Sequence, residues 1–180
     1  MKKWLLAGIA LVVLLTGWHP APKEPEGLAL IRVLGVDGSG PVTLTAVCGG
    51  EDQENNQSRG QCNGADCEEA LEEVRWSGEE EMSLTSVTYI IVGPEVELES
   101  VLLTALRNEE LGASATVWLG SGGAAELLEN CADPASALEL LERQGIEGPT
   151  VVEALAALYQ GEKLSLPLLT AGVDGLMLIG

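Results

Sequence analysis

Residues 85–119 read TSVTYIIVGPEVELESVLLTALRNEELGASATVWL, and this stretch decides the fold. Thr85 to Val92 is rich in β-branched and aromatic residues, which predicts a strand. Gly93-Pro94 breaks that run, and a proline suits the first turn of a helix. Leu98, Val101, Leu102, Ala105 and Leu106 then recur at helical spacing, with Glu97, Glu99, Ser100, Thr104 and Arg107 opposite. Gly112 ends the helix, and Ser114 to Leu119 alternates as a second strand. A strand, a helix and a strand within about 35 residues is the size of a parallel crossover unit.

The flanks add further elements. Leu28 to Val36 is a largely apolar strand, Asp37 to Pro41 a turn, and Val42 to Cys48 an alternating strand, so the two predict an antiparallel hairpin. Gly49 to Asp66 is polar and rich in Gly, Asn and Gln, and reads as a surface loop. Asp66 caps a helix carrying Ala70, Leu71 and Val74. Beyond residue 119 come a helix from Gly122 to Asn130, a second opened by Asp133-Pro134 and ending near Gly145, and a third opened by the capping box Thr150…Glu153. On this third helix Val151, Leu155, Leu158 and Tyr159 share a face, and Gly161 follows it. Gly175 to Ile179 is a last short strand. The expected fold is therefore α/β: a mixed β-sheet with helices packed on it, forming a single domain over residues 28–180.

The N-terminus differs in kind. Lys2 and Lys3 precede an apolar run from Trp4 to Gly17, too short for the ~20 residues of a spanning helix. Residues 1–18 read as a secretory signal peptide or a short signal anchor, with the remainder extracytoplasmic. Residues 19–27 are a Pro-rich linker (Pro20, Pro22, Pro25) that carries His19, the sole histidine.

Charge and composition exclude several function classes. The formal net charge is −19, and without Lys2 and Lys3 the balance is seven basic residues against 28 acidic, or −21. Such a surface repels phosphate backbones, which argues against nucleic-acid binding. With no Phe, four Trp and two Tyr, an aromatic-lined groove has few residues to draw on. A linker histidine has no fixed partners, so neither Ser/His/Asp nor Cys/His catalysis finds a base in the folded region. The acidic runs Glu68-Glu69, Glu72-Glu73 and Glu79-Glu80-Glu81 lack the Asp/Asn/Gly spacing of a calcium loop and read as solvated faces. Cys48, Cys62, Cys67 and Cys131 lack a C-x-x-C pair, so a zinc site is disfavoured; an exported chain tolerates disulfides, and four cysteines allow three pairings. No catalytic, cofactor or metal residue is assigned. The strongest small-ligand signal is Gly120-Ser121-Gly122-Gly123-Ala124-Ala125, which fits G-x-G-x-x-A between a strand and a helix. Against it, two more helices follow, and no strand ends in an acid about twenty residues on.

Several segments together resemble the N-terminal domain of the Ger(x)C family, the C-subunit lipoproteins of bacterial spore germinant receptors. Leu15-Thr16-Gly17 resembles their lipobox, and Gly35-Val36-Asp37 their opening G-[IV]-D. Glu69-Ala70-Leu71 followed by Val87-Thr88-Tyr89-Ile90-Ile91-Val92-Gly93 resembles their short helix leading to a strand that ends in Gly. Leu106-Arg107-Asn108-Glu109-Glu110-Leu111 resembles L-R-[DN]-P-E-[LI], Gly122 to Leu128 an A-x-x-[IL]-L helix, and Leu166-Pro167 with Asp174-Gly175 the exit from the domain. The resemblance covers most of residues 28–180. It implies a non-enzymatic protein of spore germination that works by protein–protein contact. Its implied partners are the A and B membrane subunits of the receptor, and its implied place is the extracytoplasmic face of the cell membrane or the spore inner membrane. The sequence departs from the family at Trp18, which stands where the lipidated Cys belongs. The alternative reading is a secreted small-ligand or nucleotide-binding protein using the Gly120–Ala125 turn.

Overall fold

The computed structural model describes residues 28–38, 40–49, 58–172 and 175–179. The expected signal segment with Trp18, the linker with His19, residues 50–57 of the expected loop, and Asp174 lie outside the described residues.

Among the described residues, eight strands and five α-helices follow in order: β1 (Leu28–Asp37), β2 (Val42–Cys48), β3 (Arg59–Gly64), α1 (Cys67–Val74), β4 (Glu81–Ser83), β5 (Tyr89–Val92), α2 (Leu98–Arg107), β6 (Thr116–Gly120), α3 (Ala124–Glu129), α4 (Pro134–Arg143), α5 (Val151–Gln160), β7 (Leu168–Gly172) and β8 (Gly175–Leu178). They build one mixed sheet in the order β3-β2-β1-β5-β6-β7-β8, with β4 beside the start of β1. β1, β5, β6 and β7 are parallel, while β2, β3 and β8 run antiparallel to their neighbours. This is the α/β architecture that the pattern predicts, and β5–α2–β6 is its parallel crossover.

Both faces of the sheet are covered, so the central strands read as continuous apolar runs. Leu34, Val36, Ile90, Val92 and Val117 face α1, α2 and α5, which contribute Leu71, Leu102 and Leu155. Val33, Tyr89, Ile91 and Trp118 face α3 and α4, which contribute Leu128 and Leu138. Ile31 and Val33 should share a face at period 2, yet they enter opposite cores. The β1–β2 register shifts between them, and this irregularity turns the strand over. At the second face Tyr89 donates its hydroxyl hydrogen to Glu142 at 2.9 Å, and Arg32 pairs with Glu139 at 3.1 Å, fastening α4. No helix among the described residues is long and apolar enough to cross a membrane.

The expected elements needed correction at several ends. Leu84–Ser86 is a 3₁₀ turn capped by Ser83, so the strand expected from Thr85 starts only at Tyr89. The helix expected to open at Pro94 starts at Leu98 with Glu97 as N-cap, and Pro94 lies in the turn before it. Leu106 is 45% exposed; at 100° per residue it sits roughly 80° around α2 from Leu98, on the flank of the buried stripe. Leu158 and Tyr159 are likewise exposed on α5, whose buried side is Val151, Ala154 and Leu155. The tract expected as a loop from Gly49 to Asp66 contains β3, and β4 and β7 are further strands. The antiparallel hairpin, the Asp66, Asp133 and Thr150 caps and the left-handed Gly161 stand where the sequence places them.

Candidate functional site

The carboxyl ends of β1, β5 and β6 meet at one carboxylate. Asp37, the last residue of β1, accepts hydrogen bonds from the backbone N–H of Ala124 (Oδ1, 2.7 Å) and of Ala125 (Oδ2, 2.7 Å). These are the first two residues of α3, whose N-cap is Gly123 and which makes no cap of its own. A helix start leaves unpaired N–H groups and a partial positive charge, and an acid from a distant strand satisfies both. Gly93, just past β5, adjoins this carboxylate so closely that a Cβ there would collide with Asp37 Oδ1. Two residues back, a Cβ on Gly35 would lie 2.7 Å from Leu128 Cδ1 and 3.2 Å from Ala124 Cβ, so glycine at this position lets α3 lie close on β1. The sequence picks out Gly35, Asp37, Gly93, Ala124 and Leu128 from three separate segments, and the fold brings them together. Sequence reasoning missed the Asp37–α3 contact. The available signal was a helix opening on Gly122-Gly123, with no Ser, Thr, Asp or Asn to cap it.

The Gly120–Ala125 turn is thus a strand-to-helix turn in which the Ala124 and Ala125 N–H groups are already bonded to a carboxylate. A phosphate seated there would have to displace Asp37 and would meet its charge. The L-R-N-E-E-L segment is also a piece of scaffold. Asn108 Oδ1 accepts from Glu110 N at 2.9 Å and Leu111 N at 3.1 Å, Leu111 is buried, and Glu110 pairs with Arg75 at 3.0 Å. This pins the end of α2 to the end of α1.

The four cysteines are free thiols. Cys48 and Cys67 belong to the core on one side of the sheet, with half-buried Cys62 packed against it, and Cys131 to the core on the other. Burial raises all four thiols above their ordinary range, with Cys48 and Cys62 at about 11. The Cys62 thiol donates to the carbonyl of Ala70 at 3.1 Å. A thiolate is the nucleophile, so none of these cysteines is activated at neutral pH. Glu79, Glu80 and Glu81 are exposed, and among the described residues no group of three or more His, Cys, Asp or Glu side chains is placed to hold a metal ion. In the native chain at pH 8, all four thiols should react slowly with a disulfide reagent, and fast only after denaturation. Their rate should climb as pH rises towards 11. The thiols of an unfolded chain ionise near 9, so the stability tied to the neutral thiols is complete below pH 9 and declines as pH rises towards 11. A thiol that reacts at the denatured rate at pH 8 would contradict its burial.

Two neighbouring clefts lie along α1 and α2, which pack side by side. A cleft of about 190 Å³ lies at the N-terminal ends of both helices, lined by Asp66, Cys67, Val96, Glu97 and Ser100, with Gly38 and Gly40 beyond. A second, of about 180 Å³, lies further along the same two helices, lined by Glu68, Leu71, Glu72, Thr104, Arg107 and Asn108. The floor is apolar, with Cys67 and Leu71 buried and Val96 half-buried, and the rim is charged, with Asp66, Glu68, Glu72 and Glu97 exposed. The exposed side of α2 forms one wall here. The Gly49–Asp66 tract reaches the groove only at its end, Ala65 and Asp66. No family model, curated protein or solved structure matches this chain.

Proposed function

We propose that this chain is a non-enzymatic, extracytoplasmic interaction domain of the Ger(x)C type. It acts in spore germination by docking beside the A and B membrane subunits of a germinant receptor, at the cell membrane or the spore inner membrane. The observation that carries the reading is the convergence at Asp37. The motif residues of the resemblance are scattered over nearly a hundred positions, yet Gly35, Asp37, Gly93, Ala124 and Leu128 pack into one cluster. That these residues form one structural unit is what supports reading the motifs together. The same cluster weakens the small-ligand alternative, because its anion-binding N–H groups are bonded within the chain. Buried, protonated thiols and an acidic surface fit a docking module better than an enzyme.

The test is affinity capture with a tagged chain from sporulating cells, at low and high salt. Recovery of a receptor membrane subunit, diminished by salt, supports the proposal. Clean capture of no membrane protein, with unchanged germination after gene deletion, defeats it. A second expectation concerns Trp18, which offers no thiol for a thioether-linked lipid. Metabolic labelling with a palmitate analogue should leave the native chain unlabelled, and Trp18→Cys should gain label. Label on the native chain would refute this.

A further inference from the structure

The groove between α1 and α2 combines two features that rarely meet on a surface by chance. Its floor is apolar, and its rim bears carboxylates from both walls. Asp66, Glu68 and Glu72 come from the α1 side and Glu97 from the α2 side, while Arg107 at the far end is the one basic residue among the lining side chains. The walls are also firm. Asp66 fixes the start of α1 by accepting from Glu68 N at 3.0 Å and Glu69 N at 2.9 Å, and the Arg75–Glu110 pair with the Asn108 turn fixes the other end. The two walls are thus tied to each other at that far end.

We infer that this groove binds a short Lys/Arg-rich segment of a partner protein, and this rests on the docking function proposed above. Lys and Arg suit the site on both counts. Their methylene stems cover apolar surface while the charged heads reach outward to carboxylates. From Val96 to Asn108 the two clefts together span roughly 18 Å at 1.5 Å per helical residue, enough for about five residues of extended chain. Charge complementarity selects a protein segment of this kind over the alternatives: a second copy of a chain at −19 brings acids to acids, and a nucleic acid or anionic lipid surface is repelled. Arg107 limits the length, since the acidic rim ends where it stands.

The probe is a ten-residue labelled peptide that alternates Lys or Arg with Leu, titrated into the full chain and followed by fluorescence anisotropy. Ionic strength is raised from about 0.01 to 0.15 M, which shortens the screening length from about 30 to 8 Å. Saturable binding that weakens with salt is expected. The triple variant Glu68→Gln/Glu72→Gln/Glu97→Gln should bind about tenfold more weakly. Ser100→Trp, which fills the upper cleft without altering charge, should weaken binding comparably. The control Glu126→Gln/Glu129→Gln, on exposed positions of α3 across the sheet, should change affinity less than twofold. Circular dichroism and thermal melts confirm that each variant is folded. If all the charge variants weaken binding alike and Ser100→Trp has no effect, attraction is only to overall charge and the groove is not the site. Absence of saturable binding to the native chain overturns the inference as well. Peptide binding and subunit capture can fail separately: capture without groove binding means docking elsewhere, and groove binding without capture means a basic partner outside the receptor.

Discussion

Replacing Leu102 with Asp lowers the stability of the folded chain by on the order of 3–5 kcal/mol, the largest loss expected from a single substitution here. Leu102 is fully buried, on the side of α2 that faces the sheet. Its neighbourhood is apolar: it belongs to the buried cluster that includes Leu34, Val36, Leu44, Ile90 and Val101. Among the described residues no basic side chain is buried in that core to compensate a carboxylate. An aspartate there must either stay neutral at an unfavourable pKa or bring water into a space too small for it. Since whole domains are stable by only about 5–15 kcal/mol, this one change should leave much of the population unfolded at 37 °C. Urea denaturation followed by circular dichroism measures it as a drop in midpoint at nearly constant slope. Leu106→Asp, four residues along the same helix but 45% exposed, is the matched control and should lie within about 0.5 kcal/mol of the native chain. If the two substitutions have equal effects, α2 does not present the face described.

That pair of residues also marks how far the sequence could be read. Periodicity put both in one apolar stripe, and it was right about the existence and burial of α2, though α2 is shorter than expected at both ends. It could not place the edge of the stripe, because a leucine on the flank costs little and is not selected against. The two edge-side strands missed by pattern have clearer physical causes. β3 turns Gly60, Cys62 and Gly64 inward. A Cβ at Gly64 would strike the backbone nitrogen of Ala70, and one at Gly60 would strike Ser77 Oγ and crowd Met82, so the close approach of α1 and β4 demands glycine where a strand would ordinarily show its apolar alternation. β4 pairs only three residues with β1, too few for any periodic signal. The caps were legible because their chemistry is local: Asp66, Asp133 and Thr150 each bond within three residues of themselves. The cap on α3 was not, because Asp37 lies 87 residues away from Ala124 and only the folded sheet brings it there. The candidate site was therefore visible as separate fragments of motif, and its unity came from tertiary structure.

The cluster at Asp37 makes the sharpest quantitative prediction, because it couples two distant positions through one carboxylate. Asp37→Ala removes the acceptor for Ala124 and Ala125 N–H, and the loss should be about 1–3 kcal/mol, the cost of leaving buried donors unpaired. Gly93→Ala keeps those bonds in principle, but its new methyl occupies the space of Asp37 Oδ1, so the carboxylate must swing out and release the same helix start. Its expected loss is similar, about 1–3 kcal/mol. In the double variant the obstacle is gone: with Ala at position 37 the methyl on residue 93 has room on that side, its nearest remaining neighbours being the vacated Asp37 position and the Val36 carbonyl oxygen at 3.3 Å. The two losses should therefore fall short of additivity by at least about 1 kcal/mol in a double-mutant cycle measured by urea unfolding. Asp37→Asn supplies the charge control. It retains one acceptor oxygen but turns an amide donor towards an N–H, so it should lie between the native chain and Asp37→Ala. Strict additivity of Asp37→Ala and Gly93→Ala would mean that the two residues act independently, and the structural link between the G-V-D and strand-end glycine motifs, on which the germination reading leans, would be lost with it.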